Sequence, residues 1–220
     1  MALLLNIDTA VDTASICVAK DGEILSVAKN ESQKDHASWL HVTIKEIFQK
    51  IHLELRVVDG LAVTCGPGSY TGLRIGMATA KGICYALNKP LISLNTLMTM
   101  ANAATGENSN LLCPMIDARR MEVFAAIYSK ELGIVMEPAA ITLDEMSFDE
   151  ILSKHTVCFL GNGSNKFSAI KKHKNAVFSD LRPDAASMVS LSEKKFATQE
   201  FTDLAYAEPL YLKEFYTRAK

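Results

Sequence analysis

The chain lacks any pair of cysteines close enough to read as a redox or metal motif. Its five cysteines, at positions 17, 65, 84, 113 and 158, are odd in number and widely spaced. That argues against a disulfide framework and against a structural zinc site built on CxxC pairs. Most sit in apolar runs, where a free thiol acts as a small buried hydrophobe. Also missing is an apolar run approaching the ~18 residues of a membrane helix; the opening "ALLL" stops at Asn6 and Asp8. No secretory leader is legible, so the expectation is a cytoplasmic protein with no membrane partner. Nor is there a basic stripe. The net charge is −2, and the tightest basic cluster, Lys171, Lys172 and Lys174 about His173, reads as a solvated helix face. A protein that grips nucleic acid alone usually carries a larger basic surface.

Standard nucleotide and metal motifs are absent too. The stretch "TCGPGSYTGLRIGMATAKG", residues 64–82, holds five of the eleven glycines. A P-loop needs lysine after its last glycine, but Leu73 follows Gly72; a GxGxxG fingerprint needs glycine where Thr71 stands. His36 and His41 are five apart, about 140° around a helix, so they cannot share a metal as an HExxH pair does. His52, His155 and His173 are isolated and read as surface residues.

What is present has a clear order. Residues 2–7, 14–20 and 23–29 read as strands, the last two joined by an Asp21-Gly22 hairpin turn. Residues 35–51 carry Leu40, Ile44, Ile47, Phe48 and Ile51 at helical spacing. "DGLAVTC" reads as a buried strand, and the glycine segment then opens a helix over residues 71–87. Gly66-Pro67-Gly68 allows a sharp turn, with Ser69 or Thr71 able to cap the helix. Free N–H groups at such a start suit an anion. Gly68 and Ser69, with Asp8, Thr9 and Asp117 at strand ends, are therefore the candidate nucleotide or anion residues. The aspartates could equally be turn formers bonded to their own backbone. Gly72, Gly76 and Ala80, with Thr79 beside them, make a small-residue helix face that fits either internal packing or close approach of another chain.

"ATGENSN", residues 104–110, is the best linker. Beyond it the beginning recurs: "LLLNIDTAVDTASICVAKDGEIL" and "LLCPMIDARRMEVFAAIYSKELGIV" share the order strand, Ile-Asp, turn, strand, turn, strand. Two copies of one β-meander, about 110 residues apart, are expected, in lobes of residues 1–104 and 105–220. Ser164 after "GNG" is expected to cap a helix, and the last helix to return to the first lobe.

The segment "GPGSYTGLRIGMATAKGICYALNKPLISLNTL" closely resembles the signature of the bacterial TsaB (YeaZ) family. "LNIDTA", "HASWLH", "IDARRMEVF", "GNGS" and "AEPLYLKEF" support it in family order from residue 3 to residue 215. The resemblance implies an α/β fold of the actin/Hsp70/sugar-kinase (ASKHA) type, with two duplicated lobes. It implies a non-catalytic subunit in making threonylcarbamoyladenosine (t6A) at adenosine 37 of tRNA. The implied partners are a homologous catalytic TsaD, a TsaE ATPase and, when alone, a second copy; tRNA is met only through the complex. Helices bearing His36, Trp39, Leu40 and Thr43, and Gly72, Arg74, Gly76, Thr79 and Ala80, would form the partner surface. Where the catalytic paralogue carries a metal-binding HxxxH, this chain has Thr96 and Met100, which cannot replace two imidazoles. The resemblance therefore implies no metal and no cofactor of its own, with ATP or ADP a candidate only at the complex interface. A small-molecule kinase of the same fold is the alternative, and a zinc peptidase the least favoured.

Overall fold

The computed structural model describes residues 2–30 and 36–213. The chain begins with an antiparallel meander, β1 (Leu3–Asp8), β2 (Ala14–Lys20) and β3 (Glu23–Asn30). Asp21 and Gly22 both take positive φ, 53° and 80°, which the tight β2–β3 turn requires. α1 (His36–Lys50) then leads to β4 (Gly60–Gly66), α2 (Tyr70–Leu87) and β5 (Leu91–Asn95). The resulting sheet has the order β3-β2-β1-β4-β5, with β4 parallel to both β1 and β5. Every residue of β1 is buried, as expected for a central strand covered on both faces. On one face Leu3, Leu5 and Ile7 meet Leu40, Ile44, Ile47 and Phe48 of α1 and Met77, Ala80 and Cys84 of α2.

After α3 (Thr96–Ala103) the arrangement repeats with β6 (Leu111–Asp117), β7 (Glu122–Ser129) and β8 (Ile134–Thr142). A short α4 (Asp149–Leu152), β9 (Val157–Leu160), α5 (Ser164–Ile170), β10 (Ala176–Ser179) and α6 (Val189–Ala197) follow. The second sheet runs β8-β7-β6-β9-β10, the same order and directions as the first. Its outer core is aromatic: the Phe159 and Phe167 rings lie 4.9 Å apart, with Phe148 and Phe178 against them. The repeat legible in the sequence is thus a repeat of topology, and Asp8 and Asp117 close its equivalent first strands.

The inner faces are covered crosswise. Leu97, Met100 and Ala101 of α3 pack on the second sheet, among Leu112, Ile116, Ala126 and Tyr128. Ala185, Met188 and Val189, at the start of the last helical segment, pack on the first sheet, among Cys17, Ala19, Ala62, Ile92 and Leu94. Each half of the chain therefore supplies part of the other half's core. Beyond α6 the chain runs back over the first lobe, where Leu210 N–H donates to the Cys65 carbonyl at 2.6 Å and Lys81 Nζ to that of Ala207 at 2.9 Å.

Two local expectations are corrected. Ser164 is not a cap: it is the first residue of α5, and its hydroxyl donates backward to the Gly161 carbonyl at 2.7 Å. Lys171 is not on a solvated face; it is 7% exposed and paired with Asp149 and the Glu145 carbonyl. An ammonium group reaching a carboxylate and a carbonyl can be buried at little cost. Residue 35 of the expected first helix and residues 214–216 of the terminal stretch lie outside the described residues.

Candidate functional site

The glycine-rich turn rests directly on the β1–β2 turn. Gly66 takes φ of 121° as the chain leaves β4. A Cβ on Gly68 would fall 2.2 Å from the Ala10 carbonyl oxygen, and one on Gly72 would fall 2.0 Å from that of Thr9. Ser69 caps α2 by accepting Gly72 N–H at 3.2 Å, and its own N–H donates to the Ala10 carbonyl at 2.7 Å. Thr9 Oγ1 donates to the Gly72 carbonyl at 2.7 Å. The fold thus brings Asp8, Thr9, Gly68 and Ser69 together, but their polar groups largely satisfy one another.

Asp8 is 3% exposed, and its Oδ1 accepts Ala10 N–H at 3.0 Å and Thr64 Oγ1–H at 2.8 Å. Burial raises its pKa above the ordinary carboxylate value; those two hydrogen bonds oppose the rise and the nearby Asp184 carboxylate adds to it. Asp117 does the same work in the second copy, accepting Arg119 N–H at 2.6 Å and Lys166 Nζ at 2.6 Å. Both aspartates therefore bond the backbone two residues on, as turn formers do.

Between the lobes lies a cleft of about 660 Å³ lined by Asp8, Asp12, Asp180, Arg182, Asn162, Asn165 and Met100 among others. Asn162 crosses it: Nδ2 donates to Asp12 Oδ2 at 2.9 Å, and Oδ1 accepts Asp117 N–H at 2.9 Å. Apart from buried Asp8, the charged residues of this lining are Asp12, Asp180 and Arg182. The β1–β2 turn, Thr9-Ala10-Val11-Asp12-Thr13, contains no glycine. Thr96 and Met100 of α3 are buried, on the same side of the helix, and Met100 belongs to the second lobe's core. Among the described residues no cluster of histidine, cysteine, aspartate and glutamate could hold a metal ion.

The small-residue face of α2 turns inward. Gly72, Gly76, Thr79 and Ala80 are all buried within the chain, and a Cβ on Gly76 would lie 2.3 Å from Thr9 Oγ1. Leu40 and Thr43 of α1 are buried as well, and Trp39 is half-buried against the first core. The expectation that Gly72, Gly76, Ala80 and Leu40 present themselves to a partner is corrected: they belong to the chain's own packing. His36 opens α1, and its side chain lies outside the described residues. Arg74 is exposed at the first turn of α2, stacked 3.9 Å over the Tyr70 ring. The exposed strip of the two helices includes His41, Val42, Ala78, Gly82, Tyr85 and Ala86, together with Lys45, Glu46 and Gln49 of α1. Thr79 Oγ1 and His41 Nε2, 3.5 Å apart, tie the helices together beneath it.

Sequence reading missed Asn162, although the sequence carries its signal. "GPGS" at 66–69 and "GNGS" at 161–164 fall at the same point of the two copies, and Gly66 and Gly161 both take positive φ.

Two sheets of identical order about a cleft, their inner faces covered crosswise, define the actin/Hsp70/sugar-kinase class of fold. An activator of the 2-hydroxyisocaproyl-CoA dehydratase from Clostridium difficile shares it, at a TM-score of 0.52 and 9% identity over 91% of this chain and 98% of that one. Residues 25–214 match the family described as "TsaD: tRNA N6-adenosine threonylcarbamoyltransferase". The tRNA threonylcarbamoyladenosine biosynthesis protein TsaB of Escherichia coli (strain K12) is 29% identical over 96% of this chain and 94% of its own length. A crystal structure of a Pseudomonas aeruginosa protein with similarity to the peptidase YeaZ superposes with a TM-score of 0.86, at 24% identity over 97% of this chain and 100% of that one. The chain belongs to the TsaB (YeaZ) family. Among the described residues no helix is long and apolar enough to cross a membrane.

Proposed function

We propose that this chain is a non-catalytic subunit in the synthesis of threonylcarbamoyladenosine on tRNA, pairing with a TsaD-like catalytic homologue through the outer strip of α1 and α2. The supporting observation is the composition of that strip. Val42 is 56% exposed and Tyr85 83% exposed, and nothing lies within 4 Å of a Cβ placed on Gly82. Bare alanine and glycine let a second helix approach closely, while the larger apolar side chains supply area worth burying. In the homologue's absence the same strip serves a second copy of this chain. A TsaE-like ATPase completes the assembly, tRNA is reached through it, and ATP or ADP belongs at the subunit interface rather than in this chain's cleft. The site of action is the cytoplasm.

The non-catalytic part of the reading draws on Asp8 and Asp117. Each is engaged by its own turn, and neither is presented to a substrate as a free base. Mixing the chain with a TsaD-like homologue and following mass by sedimentation tests the pairing. Threonylcarbamoyl transfer, measured with each protein omitted in turn, tests the division of labour. A chain that transfers the group alone, or that never pairs, overturns the proposal. The small-molecule kinase reading has the 660 Å³ cleft in its favour; calorimetric titration with ATP and Mg²⁺ giving micromolar one-to-one binding would establish it instead. A zinc peptidase finds no support in Thr96 and Met100.

A further inference from the structure

The proposed pairing makes no use of the interlobe cleft, and one oxygen in it is not accounted for by the fold. Asp8 borders the cleft while only 3% exposed. Both hydrogen bonds to its carboxyl, from Ala10 N–H and Thr64 Oγ1–H, fall on Oδ1. Oδ2 accepts none among the described residues. A buried carboxyl oxygen is costly to leave without a partner, and the open space beside Asp8 is the cleft. The nearby Asp184 cannot serve, being a carboxylate already paired with Lys29 at 2.5 Å. Burial and Asp184 hold the Asp8 carboxyl above its ordinary pKa, so a cation arriving at Oδ2 would favour its ionised form.

The rest of the lining carries both signs of charge. Asp180 and Arg182 are exposed on one short stretch, Asp180-Leu181-Arg182-Pro183. Among the described residues neither makes an ion pair or a side-chain hydrogen bond. Asp12 gives Oδ2 to Asn162 and keeps Oδ1 open. Val11, Met100 and Leu181 line the same cleft and pack in one hydrophobic cluster, so the lining also has an apolar wall. Among the described residues the carboxylates are not gathered closely enough to hold a metal ion. The glycine-rich turn, whose N–H groups a phosphate would need, is closed on the Thr9 and Ala10 carbonyls. At about 660 Å³ the cleft falls in the range of roughly 300–1,000 Å³ typical of small-molecule sites, where a few polar groups orient a ligand on an apolar lining.

We propose that the cleft binds a small zwitterion of the α-amino-acid class with an apolar side chain, its ammonium on Asp8 Oδ2 and its carboxylate on Arg182. An ammonium brings N–H donors to an oxygen that lacks one, and a guanidinium matches a carboxylate through paired N–H groups. Asp12 and Asp180 add negative potential around the ammonium, while Val11, Met100 and Leu181 take the side chain. Asp8 acts here as a fixed counter-charge and not as a base, so no chemical step follows binding. The site lies apart from the outer strip of α1 and α2, and the proposal does not depend on the pairing reading.

Calorimetric titration of the full chain with L-leucine tests this, beside isoamylamine, which lacks the carboxylate, and isocaproate, which lacks the ammonium. Leucine should bind one to one, and each half at least about tenfold more weakly, because a lost charge-assisted contact commonly costs that much. Asp8→Asn, which keeps an acceptor for the turn, and Arg182→Gln, at an exposed position, should each weaken leucine binding by a similar factor. Thermal melts show that the variants are folded; if Asp8→Asn is not, Arg182→Gln alone decides. No binding of leucine at millimolar concentration overturns the proposal. So does isoamylamine that binds as tightly as leucine, which would make the cleft a plain cation site. Undiminished leucine binding in a folded variant puts the amino acid elsewhere and rejects the site. Displacement of leucine by ATP and Mg²⁺ assigns the cleft to a nucleotide and rejects it too.

Discussion

Gly76 of α2 lies directly beneath Thr9 of the β1–β2 turn: a Cβ added to the glycine would stand 2.3 Å from Thr9 Oγ1. That hydroxyl is already committed to the Gly72 carbonyl at 2.7 Å, one turn earlier on the same helix. The small residues of α2 thus seat the helix on the first strand's turn, and the glycine loop closes over the same turn.

Gly76→Ala should therefore destabilise the isolated chain. Overpacking a close contact costs roughly 1–3 kcal/mol, and here it also displaces a buried hydroxyl from its acceptor. Urea unfolding checks the size of the loss. Thr9→Ala in the same chain should recover part of it, because the clashing atom is removed. Unchanged stability in Gly76→Ala, or simple additivity in the double substitution, contradicts this seating.

The sequence revealed the repeat, the strands, the main helices and the strand-end aspartates, because each rests on local periodicity or on a turn residue next to it. It could not orient α2. A stripe of Gly72, Gly76 and Ala80 fits any close neighbour, and only the position of β1 in the folded sheet makes that neighbour Thr9. The crosswise covering of the inner faces was illegible for a related reason. The burial of Leu97 and Met188 shows in their composition, but the sheet that buries them does not. Arg119 and Arg120, both of positive φ at the β6–β7 tip, gave no backbone signal, since arginine does not announce a left-handed conformation.

The five thiols should be inert in the folded chain. Burial pushes Cys17 and Cys84 up to about 12 and Cys158 to about 11, and it raises Cys65 and Cys113 as well. The thiolate is the reactive form. Titration with a disulfide reagent at pH 8 should therefore proceed slowly until denaturant is added, with half-buried Cys65 reacting first. Two or more thiols modified rapidly in the native chain would contradict this packing.

Asp8 makes a pH-dependent contribution whose sign follows from its raised pKa. A carboxyl held neutral by burial favours the folded chain below its unfolded pKa. That advantage is lost as pH rises through the folded value. Asp8→Asn keeps an acceptor for Ala10 N–H and Thr64 Oγ1–H but cannot ionise. Its stability relative to the parent chain should therefore rise as pH goes from 4 to 7, as measured by unfolding at several pH values. A difference that is flat or falls with pH would mean that Asp8 is stably ionised in the fold.

On the proposed pairing, the outer strip of α1 and α2 would separate association from folding. Ala78 and Tyr85 are exposed, while Gly76 and Ala80 on the same helix are buried. A charge placed at Ala78 meets water in the lone chain, and exposed substitutions of this kind usually stay within about 0.5 kcal/mol. In a close helix pair the same charge would be stripped of water without a partner, which costs several kcal/mol. Ala78→Glu should therefore leave the melting temperature of the isolated chain nearly unchanged while weakening pairing with the TsaD-like homologue at least 100-fold, about 2.7 kcal/mol. Gly76→Ala should do the reverse, lowering the melting temperature while the fraction that remains folded pairs normally. Sedimentation and thermal melts of the two variants, run side by side, read both effects. If Ala78→Glu pairs as well as the parent chain, the partner surface lies elsewhere on the molecule. If it unfolds the chain, the strip belongs to the fold and not to an interface.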